Sequence, residues 1–227
     1  MIRRFPDLEA MSRAASDHIA ERIRQAERFS IALSGGHTPG RLYELLGQRG
    51  DIDWSRVHLF FGDDRYVPPD DPRSNEKLVR DKLVSHIDIP AENFVPMYSA
   101  AGWQESAERY ERILRGFFAG RPYTFDLALQ GMGDDGHTAS IFPGTPPTPS
   151  GRWVVATAGT EEAPERVSLT LDCLAASREV IFLVAGESKA ERLREIMDGA
   201  DYPAGELARK SAHAEWWVDE AAGRLVP

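Results

Sequence analysis

The sequence predicts an α/β fold, a mainly parallel sheet flanked by helices, with a small second lobe as an open alternative. Short apolar runs typical of buried strands alternate with segments whose apolar residues recur at helical spacing. Most of the strand-like runs end in a glycine-rich or charged turn. The chain has 227 residues and is 42% hydrophobic, enough for one sizeable core, so we predict a single domain over residues 1–227.

The composition limits the classes of partner and site. A net charge of -9 argues against nucleic acid or an anionic membrane as a partner. An acidic protein can still bind an anionic small molecule through local Arg, Lys and backbone amides. Cys173 is the single cysteine, which excludes an internal disulfide and a Cys-based zinc site. Because no apolar segment is long enough to span a bilayer and no signal peptide is evident, we predict a cytoplasmic protein.

The first predicted elements are a helix over Leu8–Glu27 and a buried strand over Phe29–Leu33. The turn that follows reads Ser-Gly-Gly-His-Thr-Pro-Gly over residues 34–40. Thr38 is predicted to cap a helix that has Pro39 at its first position. A strand, a glycine-rich turn and a helix N-terminus form a general anion-binding arrangement. A tight turn that simply needs two glycines is an equally good interpretation of this motif alone.

The next strand is predicted over Val57–Phe61, and it ends in a polar turn that contains two acids and Arg65. A solvated loop with ordinary ion pairs is the alternative for this turn. Ser74 is predicted to cap a further helix. A short strand over Asn93–Met97 and a helix over Gln104–Phe118 follow.

The second half of the chain begins with a strand-like run over Phe125–Gln130 and a glycine-rich stretch over residues 131–143. That stretch carries two carboxylates and one imidazole, and a surface loop that happens to hold one His is the alternative. A proline-rich connection over residues 143–149 cannot form regular structure. Later strands are predicted over Trp153–Thr157, Pro164–Leu171, Glu179–Val184 and Ala214–Asp219, with a helix through Leu193 and Met197.

The polar turns that begin at Ser34, Asp63, Gly131 and Gly186 all follow predicted strands. Loops at the carboxyl ends of parallel strands gather at one edge of the sheet, so we expect these turns to share one pocket. The sequence has no metal-ligand spacing, no nucleophile elbow and no dinucleotide or Walker motif, so we expect neither metal nor cofactor. A lone His among cations predicts general acid–base catalysis on a phosphorylated small molecule.

Five motifs, in order, resemble those of the 6-phosphogluconolactonase family. The run Gly-Met-Gly-Asp-Asp-Gly-His-Thr-Ala-Ser-Ile-Phe-Pro at residues 131–143 is similar to the family pattern GMGxDGHTxSxFP. The similarity extends from about Leu8 to Trp217. The other four matching segments are Ser34-Gly35-Gly36 with Thr38-Pro39, residues 63–68 with Ser74-Asn75, Arg166–Thr170, and Gly186–Ala190.

The resemblance implies hydrolysis of 6-phospho-D-glucono-1,5-lactone to 6-phosphogluconate in the oxidative pentose phosphate pathway, without a metal or cofactor. It implies a modified Rossmann-type fold shared with glucosamine-6-phosphate deaminases and ribose-5-phosphate isomerases, and it favours a monomer. By the same resemblance His137 is the general base, Asp135 orients it, and Arg65 meets substrate oxygens or the oxyanion. The expected phosphate-binding residues are Ser34, Gly35, Gly36, Thr38, Arg73, Arg166 and Lys189.

Two positions depart from the family pattern. Asp64 stands where Glu is usual, and Asp134 stands at a variable position. Two other functions stay open: a glucosamine-6-phosphate deaminase of the same fold, and a catalytically silent sugar-phosphate-binding module. The deaminase family continues its run after His with Ile-Ala-Phe-Asn-Glu-Pro, and this chain lacks that Glu, which favours the lactonase. Because His137 and Asp135 are both present, the sequence gives no reason for a silent module.

Overall fold

The computed structural model describes residues 1–146, 148–159 and 164–226. Six strands form a parallel sheet in the order β1-β9-β8-β5-β2-β3, and three form an antiparallel sheet in the order β4-β7-β6. The strands are β1 Ile2–Phe5, β2 Phe29–Leu33, β3 Val57–Phe61, β4 Asp63–Arg65, β5 Leu127–Gln130, β6 Val154–Thr157, β7 Arg166–Leu169, β8 Val180–Val184 and β9 Ala214–Asp219.

Helices join and cover the strands of the larger sheet. The central strands β2, β5 and β8 are buried along their whole length, as expected for a parallel sheet with both faces covered. This confirms the predicted fold class. The helices are α1 Leu8–Arg24, α2 His37–Gly47, α3 Asn75–Lys82, α4 Trp103–Phe117, α5 Leu171–Ala175, α6 Ala190–Met197, α7 Pro203–Lys210 and α8 Glu220–Gly223, with 3₁₀ turns at Trp54–Arg56, Val84–His86, Ala91–Asn93 and Glu187–Lys189.

Two predictions about strands are wrong. Residues 63–65 were expected in a turn, but they form β4, which pairs antiparallel with β7 and starts the second sheet. Residues 93–97 were expected to form a strand, but only Phe94 makes a bridge, to Leu59 of β3. Val95 donates its N–H to the Leu59 carbonyl, and the next residue, Pro96, has no N–H with which to continue a ladder.

The predicted cap of α2 is also wrong. The helix begins at His37, so Thr38 lies inside its first turn and Gly36 occupies the cap position. Gly36 has a φ of 95°, a conformation that glycine adopts without strain, and this sharp turn starts the helix two residues earlier than expected. Pro39 remains within the first turn, where a missing N–H breaks no helical hydrogen bond.

Four helices and strands were not predicted at all: β1, α5, α7 and α8. β1 is an edge strand of four residues, two of them arginines, and it pairs with β9. The proline-rich connection contains no helix or strand in its described part, and residue 147 of it lies outside the described residues. Among the residues that the structure describes, no helix is both long and apolar enough to cross a membrane.

Candidate active site

The turns that follow the parallel strands line one cavity of about 350 Å³. They come from the ends of β2, β5 and β8 and from β4, so the expected convergence at one sheet edge is observed. Asp135 and Arg73 do not line this cavity: Asp135 contacts His137, and Arg73 borders an adjoining cavity of about 850 Å³. The predicted residues that do line it are Ser34, Gly35, Gly36, Thr38, Arg65, His137, Arg166 and Lys189.

His137 and Asp135 form a hydrogen-bonded pair. Asp135 Oδ1 lies 2.6 Å from His137 Nδ1 and also accepts the His137 backbone N–H over 3.1 Å. Burial acts to raise the pKa of Asp135, but these hydrogen bonds outweigh it and lower the pKa. Because a carboxylate only accepts, Nδ1 carries the proton, and Nε2 of the neutral ring keeps its lone pair. The arrangement leaves Nε2 able to take a proton.

Glycine at position 133 makes room for the His137 ring. A Cβ at Gly133 would lie 2.0 Å from His137 Nδ1, so any side chain there would displace the imidazole. The Gly133 N–H donates to the His137 carbonyl over 2.9 Å, which closes the turn. On its other side the imidazole packs against Phe142, with ring centroids 4.5 Å apart. The turn therefore fixes both the position and the orientation of the ring.

Arg65 is oriented by Asn75, a residue whose role the sequence did not reveal. Arg65 donates to Asn75 Oδ1 over 2.6 Å, and Asn75 Nδ2 donates to the Asp63 carbonyl over 2.9 Å. A Cβ at Gly35 would lie only 1.8 Å from Asn75 Oδ1. Gly35 is thus required for the close approach of Asn75 as well as for an exposed amide.

Asp64 anchors the first turn of α3. Its carboxylate accepts the backbone N–H groups of Asn75 and Glu76 over 2.7 and 3.0 Å, and Ser74 Oγ donates to it over 3.2 Å. Ser74 also caps α3 as predicted, accepting the N–H of Lys77. Burial raises the pKa of Asp64 to about 6, although the backbone donors act against it. Asp64 therefore positions Arg65 in two ways: it accepts the Arg65 backbone N–H over 2.8 Å, and it places Asn75, which holds the guanidinium group.

Arg65 and Arg166 place two positive charges next to each other. The two residues are direct partners in the β4–β7 ladder, where like charges oppose each other and destabilise the pair. Burial, followed by the positive charge of Arg65, lowers the pKa of Arg166. Within residues 1–146, 148–159 and 164–226, neither guanidinium forms an ion pair with a carboxylate. The carboxylates of Asp63 and Asp64 lie near enough to act on Arg166 electrostatically, but two cations without a direct ion pair among those residues are suited to an anionic ligand.

The other two predicted phosphate-binding cations are already paired. Lys189 Nζ lies 2.7 Å from Asp134 Oδ1. Arg73 makes two hydrogen bonds to Asp71, over 3.0 and 2.8 Å, and its side chain is 60% exposed. A ligand would therefore share either cation with a carboxylate or displace that carboxylate from it.

A buried network, also missed from the sequence, connects the His137 loop to the second sheet. Ser140 Oγ donates to Asp63 Oδ2 over 2.6 Å, and the Ser140 N–H donates to Ser168 Oγ over 3.1 Å. All three residues are buried. In the described part of the chain, no three His, Cys, Asp or Glu side chains come together in a way that could hold a metal ion.

Comparisons with known proteins agree with this geometry. The family described as glucosamine-6-phosphate isomerases/6-phosphogluconolactonase matches residues 6–217. The 6-phosphogluconolactonase of Synechocystis is 40% identical over 213 residues, 90% of this chain and 88% of that protein. The 6-phosphogluconolactonase of Mycobacterium leprae is 39% identical over 241 residues, which cover 98% of this chain and 97% of that protein. The solved structure of the 6-phosphogluconolactonase of Thermotoga maritima superposes with a TM-score of 0.85 at 31% identity. The superposition covers 96% of this chain and 99% of that chain.

Proposed function

The chain belongs to the glucosamine-6-phosphate isomerase/6-phosphogluconolactonase family, and we propose that it hydrolyses 6-phospho-D-glucono-1,5-lactone to 6-phosphogluconate. The observation that carries this proposal is the Asp135–His137 pair, whose imidazole faces a cavity with two guanidinium groups that have no carboxylate ion-pair partner among the described residues. A general base and an anion site in one cavity are what hydrolysis of a phosphorylated lactone requires.

In the proposed reaction His137 activates water. Nε2 takes a proton as the water oxygen bonds to the lactone carbonyl carbon, and the carbonyl becomes a tetrahedral oxyanion. The bond from that carbon to the ring oxygen then breaks, and Nε2 returns the proton to the departing oxygen. Asp135 keeps the proton of the neutral ring on Nδ1 and stabilises the imidazolium between the two steps.

The cations and backbone amides stabilise the oxyanion and bind the phosphate group. Arg65, held by Asn75, stabilises the developing oxyanion. Arg166, Lys189 and the amides around Gly35 and Gly36 hold the phosphate, with Ser34 and Thr38 beside them. Arg73 takes part only from the adjoining cavity, which shares Gly36, Arg65 and Arg166 with the active site.

The deaminase alternative is disfavoured at the His137 loop. The Glu of the deaminase run falls at position 142, which here is Phe142, and its ring packs against the imidazole. An apolar ring at that point supplies no carboxylate for ring-opening chemistry. Monomeric state, a single domain over residues 1–227 and cytoplasmic location stay predictions from the sequence.

The test is hydrolysis of freshly prepared lactone by the purified protein, followed by proton release. We expect a rate well above spontaneous opening, and a rate equal to that of the buffer alone would overturn the proposal. Ammonia release from glucosamine-6-phosphate would favour the deaminase. Binding of 6-phosphogluconate without turnover would favour the silent module.

A further inference from the structure

The ion pair between Asp134 and Lys189 has no part in the proposed reaction. Asp134 Oδ1 lies 2.7 Å from Lys189 Nζ and accepts a hydrogen bond from Ser188 Oγ over 3.1 Å. Lys189 lines the cavity and its side chain is 22% exposed, whereas that of Asp134 is 71% exposed. The hydrogen bond from Lys189 lowers the pKa of Asp134, so the carboxylate is charged at neutral pH. The protein thus supplies an anion of its own to Lys189.

The backbone that carries Lys189 is fixed without this ion pair. The Gly186 N–H donates to both carboxylate oxygens of Asp219, over 3.1 and 3.0 Å. The Lys189 N–H in turn donates to the Gly186 carbonyl over 3.1 Å. Loss of the Asp134 carboxylate would therefore free the ammonium group and leave the turn beneath it in place.

The loop that carries Asp134 is fixed independently as well. The Gly136 N–H donates to the Gly133 carbonyl over 3.0 Å, and the Gly133 N–H donates to His137. The Asp134 carbonyl accepts from Arg192 Nε over 3.0 Å. None of these bonds uses the Asp134 carboxylate, so the ion pair is dispensable for the shape of the catalytic loop.

We propose that Asp134 is an internal competitor for Lys189, and that it sets the affinity of the site for phosphorylated ligands. The inference rests on the proposed function, in which Lys189 holds the phosphate. A phosphate group carries a charge of about -2 and three acceptor oxygens, so it displaces a single exposed carboxylate from the ammonium group. Each binding event exchanges one anion for another on Lys189, and the exchange weakens net binding.

The variant Asp134→Asn removes the competing charge at nearly constant size. An exposed ion pair contributes little, so we expect the dissociation constant of 6-phosphogluconate to fall by about two- to fivefold. In a protein that also carries Lys189→Ala, the same substitution should leave the dissociation constant unchanged, because there is no ammonium group left to release.

The test is calorimetric titration of 6-phosphogluconate into wild type, D134N, K189A and the double variant. Asp198→Asn is the matched control, because Asp198 is 65% exposed and pairs with Arg194 at the end of α6, outside the cavity. Tighter binding by D134N alone supports the inference. Equal or weaker binding by D134N, or equal tightening in D198N, overturns it while leaving the function intact. A wild type that neither binds nor hydrolyses would overturn the proposed function itself.

Discussion

Two histidine–carboxylate pairs lie at opposite ends of the strands of the parallel sheet: His137 with Asp135 beyond the carboxyl ends, and His18 with Glu179 at the amino ends. At the cavity, His137 Nδ1 is 2.6 Å from Asp135 Oδ1, and at the other end His18 Nε2 is 2.9 Å from Glu179 Oε1. Burial acts to raise the pKa of both carboxyl groups, but the contact with the paired histidine, joined at Glu179 by Arg22, lowers it in both. Neither the distance nor the direction of the pKa shift distinguishes them.

The surroundings of the two pairs differ. Glu179 also binds Arg22 over 3.1 Å, and the His18 ring packs against Trp217 at 5.5 Å. A cavity of about 740 Å³ lies at that end too, but Arg22 there is neutralised by Glu179. At the active site the Asp135 carboxylate binds the imidazole and the backbone N–H of His137 and no cationic side chain, and Arg65 and Arg166 have no carboxylate ion-pair partner; both statements hold for the described residues. Unpaired cations beside a histidine, more than the pair itself, mark the catalytic end of the strands.

Replacing the two histidines should have the largest and most unequal effects. His137→Ala removes the proton acceptor, so we expect kcat to fall by about 10²- to 10⁴-fold while 6-phosphogluconate still binds. His18→Ala should leave kcat unchanged and lower the free energy of unfolding by about 1–3 kcal/mol, because buried Glu179 loses a partner. Steady-state kinetics and urea unfolding measure both. Equal losses of kcat in the two variants would remove the distinction between the pairs.

Replacing the carboxylates tests the same comparison more finely. Asp135→Asn keeps an acceptor for Nδ1–H but removes the charge that stabilises the imidazolium, so we expect kcat to fall by about ten- to a hundredfold with KM nearly constant. Glu179→Gln is the matched control and should affect unfolding only. An effect of D135N confined to KM would mean that Asp135 contacts substrate and does not orient His137.

A third comparison is between Arg166, which has no carboxylate partner among the described residues, and Arg22, which pairs with Glu179. Arg166→Ala should raise KM by about ten- to a hundredfold through loss of charge-assisted hydrogen bonds to phosphate. The free protein should unfold no more easily, because the like-charge contact with Arg65 is relieved. Arg22→Ala should do the reverse, with KM unchanged and stability lower by about 1 kcal/mol. An unchanged KM in R166A would exclude Arg166 from the phosphate site.

The buried Asp64 should show the opposite pH dependence from the two paired carboxylates. Its pKa is raised to about 6, so the folded protein retains a proton that the unfolded chain releases near its pKa of about 4. The contribution of Asp64 to stability is therefore present at low pH and lost as the pH rises through about 4–6. For Asp135 and Glu179, whose pKa is lowered, the contribution is present above about pH 4 and lost as the pH falls.

Urea unfolding at several pH values, with Asp64→Asn as the non-titrating control, measures this effect. From about pH 4.5 to pH 6.5, the free energy of unfolding of wild type relative to D64N should fall by about 2 kcal/mol. A difference that stays constant with pH would mean that the hydrogen bonds from the α3 amides keep Asp64 charged throughout.

The larger sheet was predictable because most of its strands are short, largely apolar runs. Phe29–Leu33 and Val57–Phe61 match the prediction, and Val180–Val184 differs from it by one residue. The second sheet could not be predicted, because Asp63–Arg65 is wholly polar and becomes a strand only by pairing with β7. Edge strand β1 could not be predicted either, because its two arginines interrupt the apolar pattern.

The residues that line the cavity could be predicted because each follows a strand or belongs to a motif. Their partners could not. The contact of Asn75 with Gly35 and the pairing of Asp134 with Lys189 join residues far apart in the chain, and no local pattern encodes them. Only the three-dimensional contacts show that Lys189 forms an ion pair and that Arg166 forms none with the described residues.

A crystal structure with bound 6-phosphogluconate tests the central claim most directly. We expect the product carboxylate within hydrogen-bond reach of His137 Nε2, and the phosphate at Gly35, Arg166 and Lys189 with the Asp134 carboxylate turned away. A ligand bound at the Glu179 end of the strands, or one in the cavity whose carboxylate lies away from His137, would contradict the assignment.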